Sequence, residues 1–183
     1  MALSNKQILA IKTEVPRWVN LLKKNNVKEF IIPYAIAQMI NETGWFSNKS
    51  YNIDRNPGGV TWNDNYVKFA SQRPGTSKGS LRPSNEGGNY VHYDSWDNSA
   101  KDWLRVLNLN RGGKGRPLEA ANITDYVTRL IANGYMADSR GYLTNMKGIL
   151  SLMNPHIDLV ALVKKKTRYS SPFDYIYASL FSR

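Results

Sequence analysis

The segment from Ile31 to Phe46 constrains this chain more than any other. Pro33 stands where a first helical turn tolerates a missing N–H, and Tyr34, Ala35, Ile36, Ala37, Met39 and Ile40 follow as a nearly uncharged run. Gly44 is a natural stop, with Trp45 and Phe46 adding aromatic surface beyond it. The spacing predicts a helix from about Ile32 to Trp45. It carries one acid, Glu42, close to its end. A carboxyl leaving such a helix beside aromatics is partly desolvated, which raises its pKa and keeps a proton available near neutral pH. That is the requirement for a general acid. A solvated glutamate at an ordinary helix end is the alternative that this segment alone leaves open.

The remaining signals, taken from the N-terminus onward, are consistent with one domain. Ser4 and Gln7 read as a capping box opening a helix over about residues 5–24, with Ile8, Ile11, Val15, Trp18, Val19 and Leu22 on its apolar face. Pro16 inside it predicts a kink or a break into two helices, and Trp18 is expected to pack in the core. From Asn52 to Asn89 the composition turns to Gly, Pro, Ser and Asn. There Val60–Trp62 and Tyr66–Phe69 read as short strands, with a third around Tyr90–Tyr93. Ser71–Gly88, which carries Arg73, Lys78 and Arg82, reads as a mobile basic flap. Ser95 is a plausible N-cap for a helix whose apolar face holds Ala100, Trp103, Leu104 and Leu107. Further helices are expected over about Ile123–Ala132, Arg140–Met153 and residues 157–166, with a glycine-rich loop at Asn110–Pro117. Residues 167–183 form an aromatic C-terminal tail.

Four stretches, in order, resemble the peptidoglycan N-acetylglucosaminidases of glycoside hydrolase family 73, over roughly residues 30–152. Ala37–Ser47, AQMINETGWFS, is similar to the family's AQxxxETGWGxS signature. Arg55–Val60 resembles its NxFG[IV] turn, with Gly58 where the family usually has Phe. Tyr93-Asp94-Ser95-Trp96 resembles its YDSW entry into a helix. Asn133–Asp138 resembles its GYATD segment, followed by the aromatic Tyr142. The resemblance implies an α+β, mainly α, lysozyme-like helical domain over residues 1–166, with a small β-lobe at about 52–93 flanking a glycan-binding groove. It implies cleavage of the β-1,4 bond after N-acetylglucosamine in peptidoglycan. It makes Glu42 the general acid and Tyr135 the tyrosine close to the substrate.

The second catalytic group is expected in the lobe, where Val60–Tyr93 offers only Asp64 and Glu86. Glu86 is placed ahead of Asp64, and the substrate's own acetamide is a third candidate. Asn56, Trp45, Trp62 and Tyr93 are candidate substrate-binding residues, the aromatics as stacking surfaces for sugar rings. A muramidase or lytic transglycosylase of the same architecture is the competing enzyme. A wall-binding or virion structural module with a degraded site is the competing non-enzyme.

Charge fits an anionic partner. Lys and Arg number 25 against 14 acids, a net +11, and the stem peptides and polymers of a cell wall are polyanionic. The basic residues are scattered except around Lys164–Arg168, with no recognition helix, so no specific nucleic acid is expected. With no cysteine and two distant histidines, His92 and His156, neither a disulfide nor a metal site is expected, and no cofactor is implied. Met1–Gln7 lacks the apolar core of a signal peptide, and no run reaches the length of a membrane span. The expectation is therefore delivery by a phage, as a released endolysin or with virion proteins.

Overall fold

The computed structural model describes residues 2–109, 115–136 and 141–164. The architecture is α+β and mainly helical, with one small lobe. Helix α1 (Asn5–Lys24) starts at the Ser4–Gln7 capping box, in which each residue's side chain meets the other's backbone N–H. The helix runs through Pro16 as one element, contrary to the expected break. Losing a hydrogen bond to an internal proline costs about 3 kcal/mol. Ile11 and Val15 before Pro16, and Trp18, Val19 and Leu22 after it, are all fully buried. Each such side chain contributes about 1.5–3 kcal/mol, so packing on both sides outweighs the proline.

Helix α2 (Ile32–Thr43) is the enclosed element that its composition demands. Ala35 to Ile40 have no exposed surface at all, the polar Gln38 included. It packs against α1 and against α7 (Tyr142–Met153). Helix α5 (Trp96–Asn108) begins at Ser95, whose hydroxyl caps Asn98 N–H, and buries Ala100, Trp103, Leu104 and Leu107. Trp18 meets Trp96 and Trp103 edge-on, at centroid distances of 5.7 and 6.2 Å, and so holds α1 to α5 as a core residue. Helix α6 (Ile123–Ala132) ends at Asn133 and Gly134, and α8 (Leu159–Lys164) returns to α1. No helix among the described residues is long and apolar enough to cross a membrane.

The lobe departs from the expected three strands. It holds α3 (Lys49–Asp54), α4 (Asp64–Lys68), β1 (Thr76–Leu81) and β2 (Asn89–Tyr93). The two strands pair antiparallel with Thr76 opposite Tyr93 and Leu81 opposite Asn89, and an irregularity between Lys78 and Leu81. Residues expected to form a mobile flap thus supply a whole strand. Tyr66–Phe69, read as a strand, is instead helix and turn, because the Asn63 side chain caps Asn65 N–H and starts α4. Val60–Trp62 joins the sheet only through a bridge from Thr61 to Tyr90, flanked by the Trp62 N–H to Asn89 O and Val91 N–H to Val60 O hydrogen bonds.

Buried polar groups fasten the lobe to the helices. Asp54 accepts hydrogen bonds from Ser80 N–H and from the Ser80 hydroxyl, fixing α3 against β1. Arg55 adopts a left-handed conformation at the end of α3 and donates to Tyr93 O at 2.9 Å, while the Ser99 hydroxyl of α5 donates to Arg55 O. Asn56 has no exposed surface. Its amide donates to Val60 O and Val91 O at 2.8 and 3.0 Å, and its carbonyl accepts Val60 N–H at 2.9 Å. Asn56 is therefore a staple inside the lobe and not the substrate-binding residue expected from the sequence.

Candidate active site

Glu42 lies two residues before a helix end built to stop abruptly. Gly44, Trp45 and Phe46 all take left-handed backbone conformations, with φ of 55°, 62° and 61°. For Trp and Phe this costs roughly 1–2 kcal/mol each. The turn persists because its backbone N–H groups are all engaged. Trp45 N–H reaches Ile40 O at 3.0 Å, Phe46 N–H reaches the Thr43 hydroxyl at 2.9 Å, and Ser47 and Asn48 N–H share Thr43 O. The Asn48 amide donates to Glu42 O at 3.0 Å, tying the acid's own backbone to the next element.

The Glu42 side chain opens on a groove of about 530 Å³ between the helical body and the lobe. Burial raises its pKa above the ordinary carboxylate value, and the Tyr142 hydroxyl, which donates to Oε1 at 2.7 Å, partly offsets that rise. The carboxyl can therefore retain a proton at higher pH than a solvated glutamate. Tyr142 stands at the start of α7, so the hydrogen bond also locks the carboxyl's orientation to the packing of α2 on α7.

Tyr135 lines the same groove, just after the Gly134 stop of α6. Its hydroxyl donates to Gly58 O at 3.0 Å. Burial and the nearby Glu42 charge raise its pKa, so it stays a neutral phenol. The Trp103 indole N–H and the Gln38 amide nitrogen face its oxygen and favour the ionised form, but neither nitrogen completes a hydrogen bond, while the Gln38 amide oxygen accepts the Tyr126 hydroxyl at 2.6 Å. Gly58 is required by this packing. A Cβ there would sit 2.4 Å from the Trp103 ring and 2.9 Å from the Tyr135 hydroxyl oxygen, so Trp103 fills the space a larger residue at 58 would need.

Across the groove, Glu86 stands on the turn between β1 and β2, exposed and ion-paired with Arg82 at 2.5 Å. Asp64, the other lobe acid, is exposed in the first turn of α4 and does not line the groove. The three aromatics expected to stack on sugars are also elsewhere. Tyr93 is fully buried, donating from its hydroxyl to Asp102 at 2.8 Å. Trp62 stacks on Tyr66 at 5.3 Å, and Trp45 packs against the main core; neither lines the groove. The groove wall is instead built from Tyr66, Tyr90, Arg73 and Arg105. Asp102, buried on α5, collects the hydroxyls of Tyr66 and Tyr93 and the Arg105 Nε–H, at 2.7, 2.8 and 2.6 Å. Sequence reasoning missed this group because its members come from α4, β2 and α5. Ala137 and Asp138 of the expected family segment lie outside the described residues.

Glu42 and Glu86 thus line one polar groove, and the fold and family that carry it are those of a glycoside hydrolase. The chain belongs to the Glucosaminidase family, described as mannosyl-glycoprotein endo-beta-N-acetylglucosaminidase, whose model matches residues 16–155. Its fold is similar to that of the catalytic domain of the autolysin Auto from Listeria monocytogenes. The TM-score is 0.55 at 19% identity, covering 88% of this chain and 90% of that one. No curated protein sequence matches the chain.

Proposed function

We propose that this chain hydrolyses the β-1,4 bond after N-acetylglucosamine in peptidoglycan, with Glu42 as the general acid. The observation that carries the assignment is the Glu42 carboxyl itself: burial raises its pKa, Tyr142 fixes its orientation, and it opens on the groove that Tyr135 and Glu86 share. In this mechanism Glu42 gives its proton to the glycosidic oxygen as the bond to C1 breaks. The oxocarbenium-like charge that develops is met by Glu86, activating water from the lobe side, or by the substrate's acetamide. Tyr135, fixed by its bond to Gly58 O, positions the sugar beside the acid.

The test is digestion of purified peptidoglycan by the wild type and by Glu42→Gln, followed by reduction and mass spectrometry of the product ends. Glucosaminitol ends from the wild type alone support the proposal. Muramitol ends would make the enzyme a muramidase, and anhydro-sugar ends a lytic transglycosylase. Wall binding without products from either protein would identify a module that has lost its chemistry.

A further inference from the structure

Three arginines line the groove, and their charges are not equally satisfied. Arg82 is paired with Glu86, and Arg105 with Asp102. Arg73 has no carboxylate within ion-pair distance among the described residues. Its guanidinium lies over the Tyr66 ring at 4.5 Å and over the Phe69 ring at 5.7 Å. Such stacking fixes the plane of the guanidinium while leaving its N–H edge free to donate, the arrangement suited to a planar carboxylate.

Arg73 and Arg105 also belong to a side pocket of about 90 Å³, to which Thr76, Asn98 and Lys101 contribute. The space of a few water molecules suffices for a carboxylate. Asp102 is the acid on this pocket, and both its oxygens are occupied, Oδ1 by Arg105 and Oδ2 by the two tyrosine hydroxyls. Lys101 shares the Asp97 carboxylate with Lys24. Of the three groove arginines, Arg73 is the one whose charge no carboxylate meets among the described residues.

We propose that Arg73, supported by Arg105, forms an anion subsite that takes a carboxylate carried on the glycan strand, either of a stem peptide or, where the peptide has been removed, of the lactyl group thereby freed. This inference rests on the peptidoglycan reading of the groove. Recognition of a side substituent would separate strands that carry acids from neutral strands with the same β-1,4 backbone.

The test uses the Glu42→Gln protein, so that glycans stay intact, and measures calorimetric affinities for three soluble probes of equal backbone length. These are peptide-bearing glycan, the same glycan after an amidase has removed the peptides and left lactyl carboxylates, and a neutral N-acetylglucosamine oligomer. The peptide-bearing probe is expected to bind about tenfold tighter than the neutral one, the scale of one charge-assisted hydrogen bond. If the amidase-treated probe keeps that advantage, a freed lactyl carboxylate also fills the subsite; if it loses it, only the peptide's carboxylate does. Adding Arg73→Met, which keeps an apolar stack on Tyr66, is expected to erase the advantage while leaving the neutral probe unaffected. Equal weakening for all probes, or none, overturns the proposal. Salt provides a second measurement without altering Arg73: an advantage that does not shrink from low to high ionic strength also overturns it. Product ends from the wild type report on hydrolysis separately, so either claim can fail without the other.

Discussion

Tyr142 donates a 2.7 Å hydrogen bond to Glu42 across a hundred residues of sequence, and it does so from the first position of the helix against which the acid's own helix packs. The proton affinity of the acid is thus set by two opposed effects, burial raising it and one hydroxyl lowering it.

Removing that hydroxyl shifts the balance in a known direction. In Tyr142→Phe only the burial effect remains, so the Glu42 pKa rises further. In the proposed mechanism the protonated form is the active one, so the basic limb of the kcat/KM profile moves to higher pH. The maximal rate falls about tenfold as the carboxyl loses its orientation. A pH–rate profile of the variant checks both effects; a limb that moves down, or stays in place, rules out Tyr142 as the partner.

Glu42 is expected to weaken the fold near neutral pH. Its folded-state pKa is raised, so the folded protein holds the proton more tightly than the unfolded chain does. That contribution to stability is complete below the unfolded value of 4.5 and disappears as pH rises through the folded value. Glu42→Gln cannot ionise. Its Tm therefore gains on the wild type as the pH is raised from about 4 to about 7, by roughly 2–4 °C for each kcal/mol of relieved cost. Its turnover drops on the order of 100- to 10,000-fold. Thermal melts at several pH values separate the two effects, and a gain that is largest at low pH would contradict the burial argument.

The two lobe acids should behave differently. Glu86→Gln is expected to lower kcat about 100-fold, as for a lost general base, whereas Asp64→Asn stays within about twofold of the wild type. Turnover by Glu86→Gln at the wild-type rate would transfer the second role to the substrate's acetamide.

Asn56→Ala tests a structural staple. The change leaves Val60 N–H without its partner and takes one donor each from Val60 O, which keeps Val91 N–H, and from Val91 O, at about 1–3 kcal/mol for each group that stays dry. Chemical denaturation is expected to show a loss of at least about 1–3 kcal/mol. An unchanged midpoint with a raised KM would return Asn56 to substrate binding.

Legibility in the sequence followed the range of the interactions. Helix α2 and its acid could be read because Pro33, the apolar run and Gly44 act within a few residues of one another. Helix α5 could be read for the same reason, through Ser95 and its apolar face. Strand β1 could not. Thr76–Leu81 has no alternating apolar pattern, and it becomes a strand through pairing with β2 and through the hold of Asp54 on Ser80. Tyr93 was read as a sugar platform because an aromatic in a lobe invites that role; Asp102, nine residues on, draws it into the core instead. Arg73 reads in the sequence only as one cation of an expected basic flap, since the ring under it and the pocket beside it are supplied by other elements.

The left-handed turn at Gly44, Trp45 and Phe46 also sets a rule for how this enzyme tolerates changes in length. Each residue of an α-helix advances the side-chain direction by about 100°. With the turn anchored to Ile40 O and Thr43 O, inserting or deleting a single residue between the Pro33 start and Gly44 would swing the acid away from the groove, even in a protein that still folded. Change in this segment is thereby confined to exchange of side chains at constant length.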